Sequence, residues 1–308
     1  ITVSCNDVEL VKNTDYTVSY SNNKNVGTAT ISITGIGDYT GTITKNFNIV
    51  ARDISDTTIG SIPNQTYTGN SISALPVITY NGATLTKGTD YTLTYSNNVN
   101  VGTGTVTITG KGNFKGTTSK TFSISARAMS DTSVANVSSQ TYTGNGISPL
   151  PTITYNNKTL KKDTDYTLSY SNNINAGTAT ITITGKGNFT GTTSKTFSIS
   201  ARAMSDTSVA NISSQTYTGN VISPLPTITY NNKTLKKDTD YTLSYSDNIN
   251  AGTATITITG KGNFTGMTSM TFIITQKSAE KLNISEIANQ IYTGKKIKPN
   301  VVITDTER

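Results

Sequence analysis

The sequence predicts an all-β fold of tandem β-sandwiches, and three observations carry that reading. The chain repeats every 75 residues: Asp-Tyr-Thr stands at Asp15, Asp90, Asp165 and Asp240, and Tyr-Thr-Gly at Tyr67, Tyr142, Tyr217 and Tyr292. A fixed period of this size marks tandem copies of one folding unit. Composition favours strand, because Thr, Ile, Val and Tyr fill the ordered stretches while Leu and Ala are scarce. Each copy also holds some seven short runs of alternating character, separated by turn residues, which is the pattern of a sandwich.

The period divides the chain into 1–50, 51–125, 126–200, 201–275 and 276–308. Residues 1–50 begin near the position of Ile153-Thr154-Tyr155 and lack the first strands, whereas 276–308 carry first strands only. The copies 126–200 and 201–275 differ at a handful of positions. So close a duplication points to length and spacing as what the chain supplies, because an active site needs only one copy.

Within 126–200, Ala126-Arg127-Ala128-Met129-Ser130 reads as the joint between units, with a first strand expected over Thr132–Ser138. Gln140-Thr141-Tyr142 is a short strand that stops at Thr143-Gly144-Asn145. Pro149 and Pro151 flank Leu150, which suits a strand edge or start. Ile153-Thr154-Tyr155, Asn156-Asn157 and Lys158-Thr159-Leu160 make a tight hairpin; the preceding copy writes its turn Asn81-Gly82, the pair best suited to positive φ at both positions. Tyr166–Tyr170 is another strand. Thr178–Thr184 alternates strictly, so Ala179, Ile181 and Ile183 should enter the core, where burying an Ile is worth roughly 1.5–3 kcal/mol. Gly185-Lys186-Gly187-Asn188-Phe189 turns the chain, and Ser194–Ser200 carries Phe197 and Ile199 inward.

The run from Asp165-Tyr166 through Tyr170, Asn172-Asn173, Asn175 and Gly177 to Gly185-Lys186-Gly187-Asn188-Phe189-Thr190-Gly191 resembles the immunoglobulin-like tandem repeats of Gram-positive (Firmicutes-type) cell-surface proteins and adhesins. The resemblance covers the whole chain, because the other copies repeat this pattern. It implies Ig-like β-sandwiches arranged as an extended rod, extracellular exposure on a cell surface, and a stalk or adhesive role without catalytic residues. The family's usual aromatic after Gly-x-Gly-Asn/Asp is a Tyr at Tyr39 but Phe at Phe114, Phe189 and Phe264, so any hydroxyl hydrogen bond there is lost in three units.

The formal charge is +7, with Lys and Arg scattered through every unit. A nucleic-acid binder gathers its basic residues on one face, so nucleic acid is an unpromising partner; loose attraction to anionic cell-wall polymers suits the pattern better. Cys5 is the only cysteine, so no intrachain disulfide exists. No run approaches the roughly 18 apolar residues of a membrane helix. The chain starts at Ile1 with no signal peptide and reads as a fragment or processed product of a longer secreted chain.

No His occurs, and the four glutamates are Glu9, Glu280, Glu286 and Glu307, so neither a nucleophile–base pair nor tuned carboxylates can be assembled. Gly185-x-Gly187-x-x-x-Gly191 reads as turn chemistry, since a strand follows where a phosphate loop needs a helix N-terminus. Asp163-Thr164-Asp165 reads as a turn rather than a Ca²⁺ site, because its first position is Asn13 and Gly88 in other copies. Asp15, Asp90, Asp165 and Asp240 should accept from nearby backbone N–H groups. Lys12, Lys87, Lys162 and Lys237, with Gln65, Gln140, Gln215 and Gln290, recur as cross-linking residues would, but such bond formation needs a buried carboxylate and no Glu occurs between Glu9 and Glu280. The sequons at Asn188 and Asn211 are expected by chance in so Asn-rich a chain. The Thr-x-Thr-x-Thr runs read as the solvent face of a half-buried strand, with an ordered ligand-facing array as the alternative. Catalytic, cofactor and metal residues are therefore none, and no ligand-binding residue is assigned.

The expected function is a structural stalk or filament body. The alternative is an adhesive array binding a glycan or host protein. The joints Ala126-Arg127-Ala128 and Ala201-Arg202-Ala203 lack Gly and Pro and should restrain their neighbours. The complementary content of 1–50 and 281–308 raises a further expectation, head-to-tail donor-strand complementation between copies; a longer covalent array gives the same order.

Overall fold

The computed structural model describes residues 1–305, so 306–308, the end of the segment 281–308 considered for strand donation, lie outside the described residues. Contacts divide the chain into two compact units: Ile1–Ser133 with Thr154–Thr167 and Thr184–Thr192, and Val134–Ile153 with Leu168–Ile183 and Thr193–Arg308. Both are all-β and sandwich-like. The helical turns among the described residues are short 3-10 pieces, and no described helix is long and apolar enough to cross a membrane.

In the first unit, residues 1–50 form β1 (Ser4–Cys5), β2 (Val8–Glu9), β3 (Tyr16–Ser21), β4 (Gly27–Gly35) and β5 (Thr42–Ile49). A whole repeat follows as β6 (Arg52–Asp53), β7 (Thr58–Ile59), β8 (Gln65–Thr66), β9 (Ile78–Tyr80), β10 (Ala83–Thr84), β11 (Tyr91–Ser96), β12 (Gly102–Gly110), β13 (Phe114–Lys115) and β14 (Thr117–Ser125). One sheet has the order β10-β9-β7, the other β11-β12-β14-β8, and β13 pairs β6 in parallel. Antiparallel register puts Val106 and Ile108 on the core side of β12, while Thr105 opposite Thr121 and Thr107 opposite Ser119 face solvent. The period-two pattern decides which face is wet.

The core sits between the sheets. Ile54, Ile78, Tyr91, Ile108 and Phe114 pack together, and Ile72, Ala74, Phe122 and Ile124 make a second cluster. The irregular stretch that supplies Ile72 and Ala74 is held by two polar ties. The Tyr95 hydroxyl donates to the Ala74 carbonyl at 3.1 Å, and Asn98 Nδ2 donates to the Ile72 carbonyl at 2.9 Å. Residues 1–50 have no such cover: Phe47 is 42% exposed where its counterpart Phe122 is 4% exposed.

The second unit repeats this plan over 201–275. Gln215–Thr216, Met267–Thr275, Gly252–Gly260 and Tyr241–Ser246 form the four-stranded sheet, and Ser208–Val209, Ile228–Tyr230 and Lys233–Thr234 the three-stranded one. Met204, Ile228, Tyr241, Ala254, Ile256, Ile258, Phe264, Phe272 and Ile274 form its core.

Several expectations hold in detail. Ala179, Ile181, Ile183, Phe197 and Ile199 are buried, and the hairpin turns take positive φ at Asn156 and Asn157 as at Asn81 and Gly82. Two expectations need correction. The strand expected over Thr132–Ser138 is only Ser133–Val134. Gln140–Thr141 already pairs with Ile199–Ser200 of the other sheet, so the residues between must cross from sheet to sheet and cannot stay in one ladder. The stretch read as a plain joint also carries structure: Arg127–Ala128 pairs in parallel with Phe189–Thr190, and Met129–Asp131 is a 3-10 turn whose Met129 is fully buried.

Candidate functional site: the joints between repeats

The side chains with most to explain lie where one repeat meets the next. The Gly110-Lys111-Gly112-Asn113 turn needs its glycine, since Gly112 has φ +63° and an added Cβ would meet the Thr89 carbonyl at 3.1 Å. That turn aims Asn113 at the preceding copy. Its Oδ1 accepts from Val26 N at 2.8 Å and its Nδ2 donates to Asn25 Oδ1 at 3.0 Å. Asn188 makes the same pair of bonds to Val101 and Asn100, and Asn263 to Ala176 and Asn175. One amide thus serves as donor and acceptor together across each of these three joints.

An aromatic group sits beside the Asn188 and Asn263 clamps. Tyr67 stacks on Tyr155 with centroids 6.2 Å apart, and Phe189 stands edge-on to both rings at 5.4 and 5.5 Å. Tyr142, Tyr230 and Phe264 repeat the arrangement in the second unit. Such pairs are worth about 0.5–1.5 kcal/mol each beyond their buried area. Arg127 closes the group from the side: Nε donates to the Tyr67 carbonyl at 3.1 Å, the guanidinium lies 5.6 Å from the Tyr155 ring centre, and Nη1 reaches Asp131 at 3.3 Å. Arg202 does the same with the Tyr142 carbonyl, Tyr230 and Asp206. Arg52 also lies over a ring, that of Tyr80, but turns Nε to Asp56 at 2.6 Å. The hairpin tip completes the contact: Asn156 Nδ2 donates to the Thr68 carbonyl, and Lys158 Nζ to the Gly69 carbonyl and Asn70 Oδ1.

Burial raises the Tyr67 phenol above its ordinary value near 10, with Asp165 and Tyr155 adding to the rise and a bond with Asn188 opposing it. The Tyr142 phenol is raised by burial, then by Asp240 and Tyr230. Both rings are therefore neutral across the physiological range.

The chemistry-bearing candidates resolve into turn work. Asp15, Asp90, Asp165 and Asp240 each accept from the backbone N–H four residues back, at 2.6–2.8 Å. Gln65, Gln140, Gln215 and Gln290 each donate to the carbonyl two residues back. The Asp163 carbonyl accepts from Lys186 Nζ, and among the described residues no three His, Cys, Asp or Glu come together as metal ligands. Cys5 is exposed and free. Lys162 lies 3.8 Å from Asp163 in an exposed pair. Sequence reasoning missed the clamp, having taken Asn188 as a chance sequon. The available signal was the joint recurrence of Asn25, Asn100 and Asn175 with Asn113, Asn188 and Asn263.

The last joint changes partners. Lys277 and Asp305 occupy the positions of Arg202 and Tyr230 and form a 2.6 Å ion pair with both side chains largely buried.

No family model matches the chain, and no curated protein matches it. Among solved structures it is similar to a protocadherin gammaB7 EC3-6 cis-dimer structure, at TM-score 0.23 and 10% identity over 81% of this chain and 84% of that one. It is likewise similar to the N-terminal four Ig domains of Dscam1 isoform 9.44, at TM-score 0.23 and 9% identity over 80% of each. These superpositions are too loose to carry an argument, and the fold rests on the strand pairing and burial above.

Proposed function

We propose that the chain is a non-catalytic, extracellular spacer: the stalk or filament body of a bacterial surface protein, arranged as an extended rod of Ig-like units at 1–50, 51–125, 126–200, 201–275 and 276–308. The observation that carries this reading is the joint. Two successive joints use the same amide clamp, the same Tyr–Tyr–Phe group and the same Arg, so most of the distinctive polar and aromatic side chains serve to hold neighbours in place. A catalytic reading has no comparable support. Small-angle scattering tests the proposal on 51–125, 51–200 and 51–275: the maximum dimension should rise by a constant step per added repeat. A dimension that does not grow with repeat number contradicts it.

Two other readings each have one observation behind them. The outer face of β11, β12 and β14 carries Thr and Ser alone, from Thr92 and Thr94 to Thr121 and Ser123, and an adhesive array could present it to a glycan or host protein. Binding of a three-repeat protein on a glycan array would favour that role. Donor-strand complementation finds a cavity of about 320 Å³ in residues 1–50, lined by Leu10, Tyr16, Ile33 and Tyr39 among others. In the whole repeats the matching space holds Ile54 or Met204, whereas 281–308 and the residues before it would offer Ala279, too small to fill it. We therefore rank it behind the spacer; removing 281–308 should leave the oligomeric state unchanged.

A further inference from the structure

The two well-developed joints are built from the same surface twice. On the side facing the next repeat, 51–125 offers the Tyr67 ring and carbonyl, the Thr68 and Gly69 carbonyls, Asn100 and the Val101 N–H. The copy 126–200 offers Tyr142, Thr143, Gly144, Asn175 and the Ala176 N–H in the same roles. On the opposite side, Arg127, Tyr155, Asn156, Lys158, Asn188 and Phe189 recur as Arg202, Tyr230, Asn231, Lys233, Asn263 and Phe264. The bonds agree closely: the amide pair is 3.0 Å at both joints, the Arg Nε bond 3.1 Å at both, and the stacked rings 6.2 and 6.1 Å apart. The one position that differs between the two receiving sides, Val101 against Ala176, contributes its backbone N–H, which is indifferent to the side chain.

We infer that the joint surfaces of the internal repeats are interchangeable, so that the receiving side of 51–125 accepts 201–275 as it accepts 126–200, and the array gains or loses length by whole copies. The partner each receiving surface fits is thus any repeat carrying Arg, Tyr, Asn, Lys, Asn and Phe at these six places. The terminal segment lies outside the set, because Lys277 and Asp305 replace the Arg and the Tyr. The inference deepens the spacer reading and rests on it only for its purpose; the surfaces match whether or not the chain also binds a ligand.

The test removes residues 126–200 in one variant and inserts a second copy of them after Ser200 in another. The readout is trypsin cleavage after Arg202, whose side chain is tied into its joint, together with thermal unfolding. Cleavage of a transiently opened site follows the open population, so both variants should be cut within about twofold of the intact chain's rate. In the excised protein, Tyr67→Ser with Asn100→Ala should raise the rate about tenfold or more, as loss of two ring contacts and the amide bond to Asn100 predicts. Either length variant being cut as fast as that altered control, or unfolding at a lower temperature than the intact chain, overturns the inference. Glycan binding, which would challenge the spacer reading, leaves this readout untouched.

Discussion

Single residues here matter by what they reach. Asn188 lies in a turn where an Asn side chain would ordinarily bond its own backbone or water, yet its amide bridges to residues 88 and 87 positions earlier. That partnership was invisible in sequence because Asn is abundant and every turn has a local use for it. The alternation of Ala179, Ile181 and Ile183 was legible, because burial of one strand face writes itself directly into period two. Tyrosine carries a testable consequence of burial. The phenols of Tyr67, Tyr91, Tyr95, Tyr142, Tyr170, Tyr241 and Tyr245 are all raised, with burial the first cause in each. A raised folded-state value means stability is fully present below the unfolded value near 10 and is lost as pH climbs through the folded values. The melting temperature should therefore hold through neutral pH and fall above pH 10, while phenolate absorbance shows a late-ionising class among the 16 tyrosines. Ionisation of all of them together at the ordinary value would contradict the burial.

At the level of elements, long strands read from sequence well and short ones poorly. Gly177–Gly185 and Thr192–Ser200 contain the expected runs almost residue for residue. The failures, the shortened strand at Ser133–Val134 and the unforeseen Arg127–Ala128 pair, are two-residue pieces whose partners lie far along the chain. No local pattern specifies such pairs; the opposite sheet does. The contrast between faces gives a paired prediction on β12. Ile108 is fully buried between the sheets, so Ile108→Ala should cost about 2–5 kcal/mol in the unfolding of 51–125. Thr107, its neighbour on the wet face, should change stability by no more than about 0.5 kcal/mol when replaced by Ala. Denaturant unfolding of the isolated repeat pair 51–200 reads both, and equal costs at the two positions would mean that the strand is out of register.

Across the molecule, the feature that recurs is one joint, built twice from the same residue types. The repeat was plain in sequence. The joint was not, because it is formed by residues that each looked like turn or core material until the fold brought them together: Tyr67, Tyr155 and Phe189 from three different strand ends, and Arg127 from a stretch read as linker. A flexible linker and a built joint make opposite demands on the distribution of distances across it. The most direct measurement is a pulsed electron spin resonance distance between labels at Thr109→Cys and Lys161→Cys, one in each of two neighbouring repeats, with Cys5→Ser in the background. The joint described here predicts one narrow distance distribution, as narrow as that of a control pair within 51–125, which broadens when Asn188→Ala removes the clamp. A broad distribution in the parent protein, or one indifferent to Asn188, would contradict it.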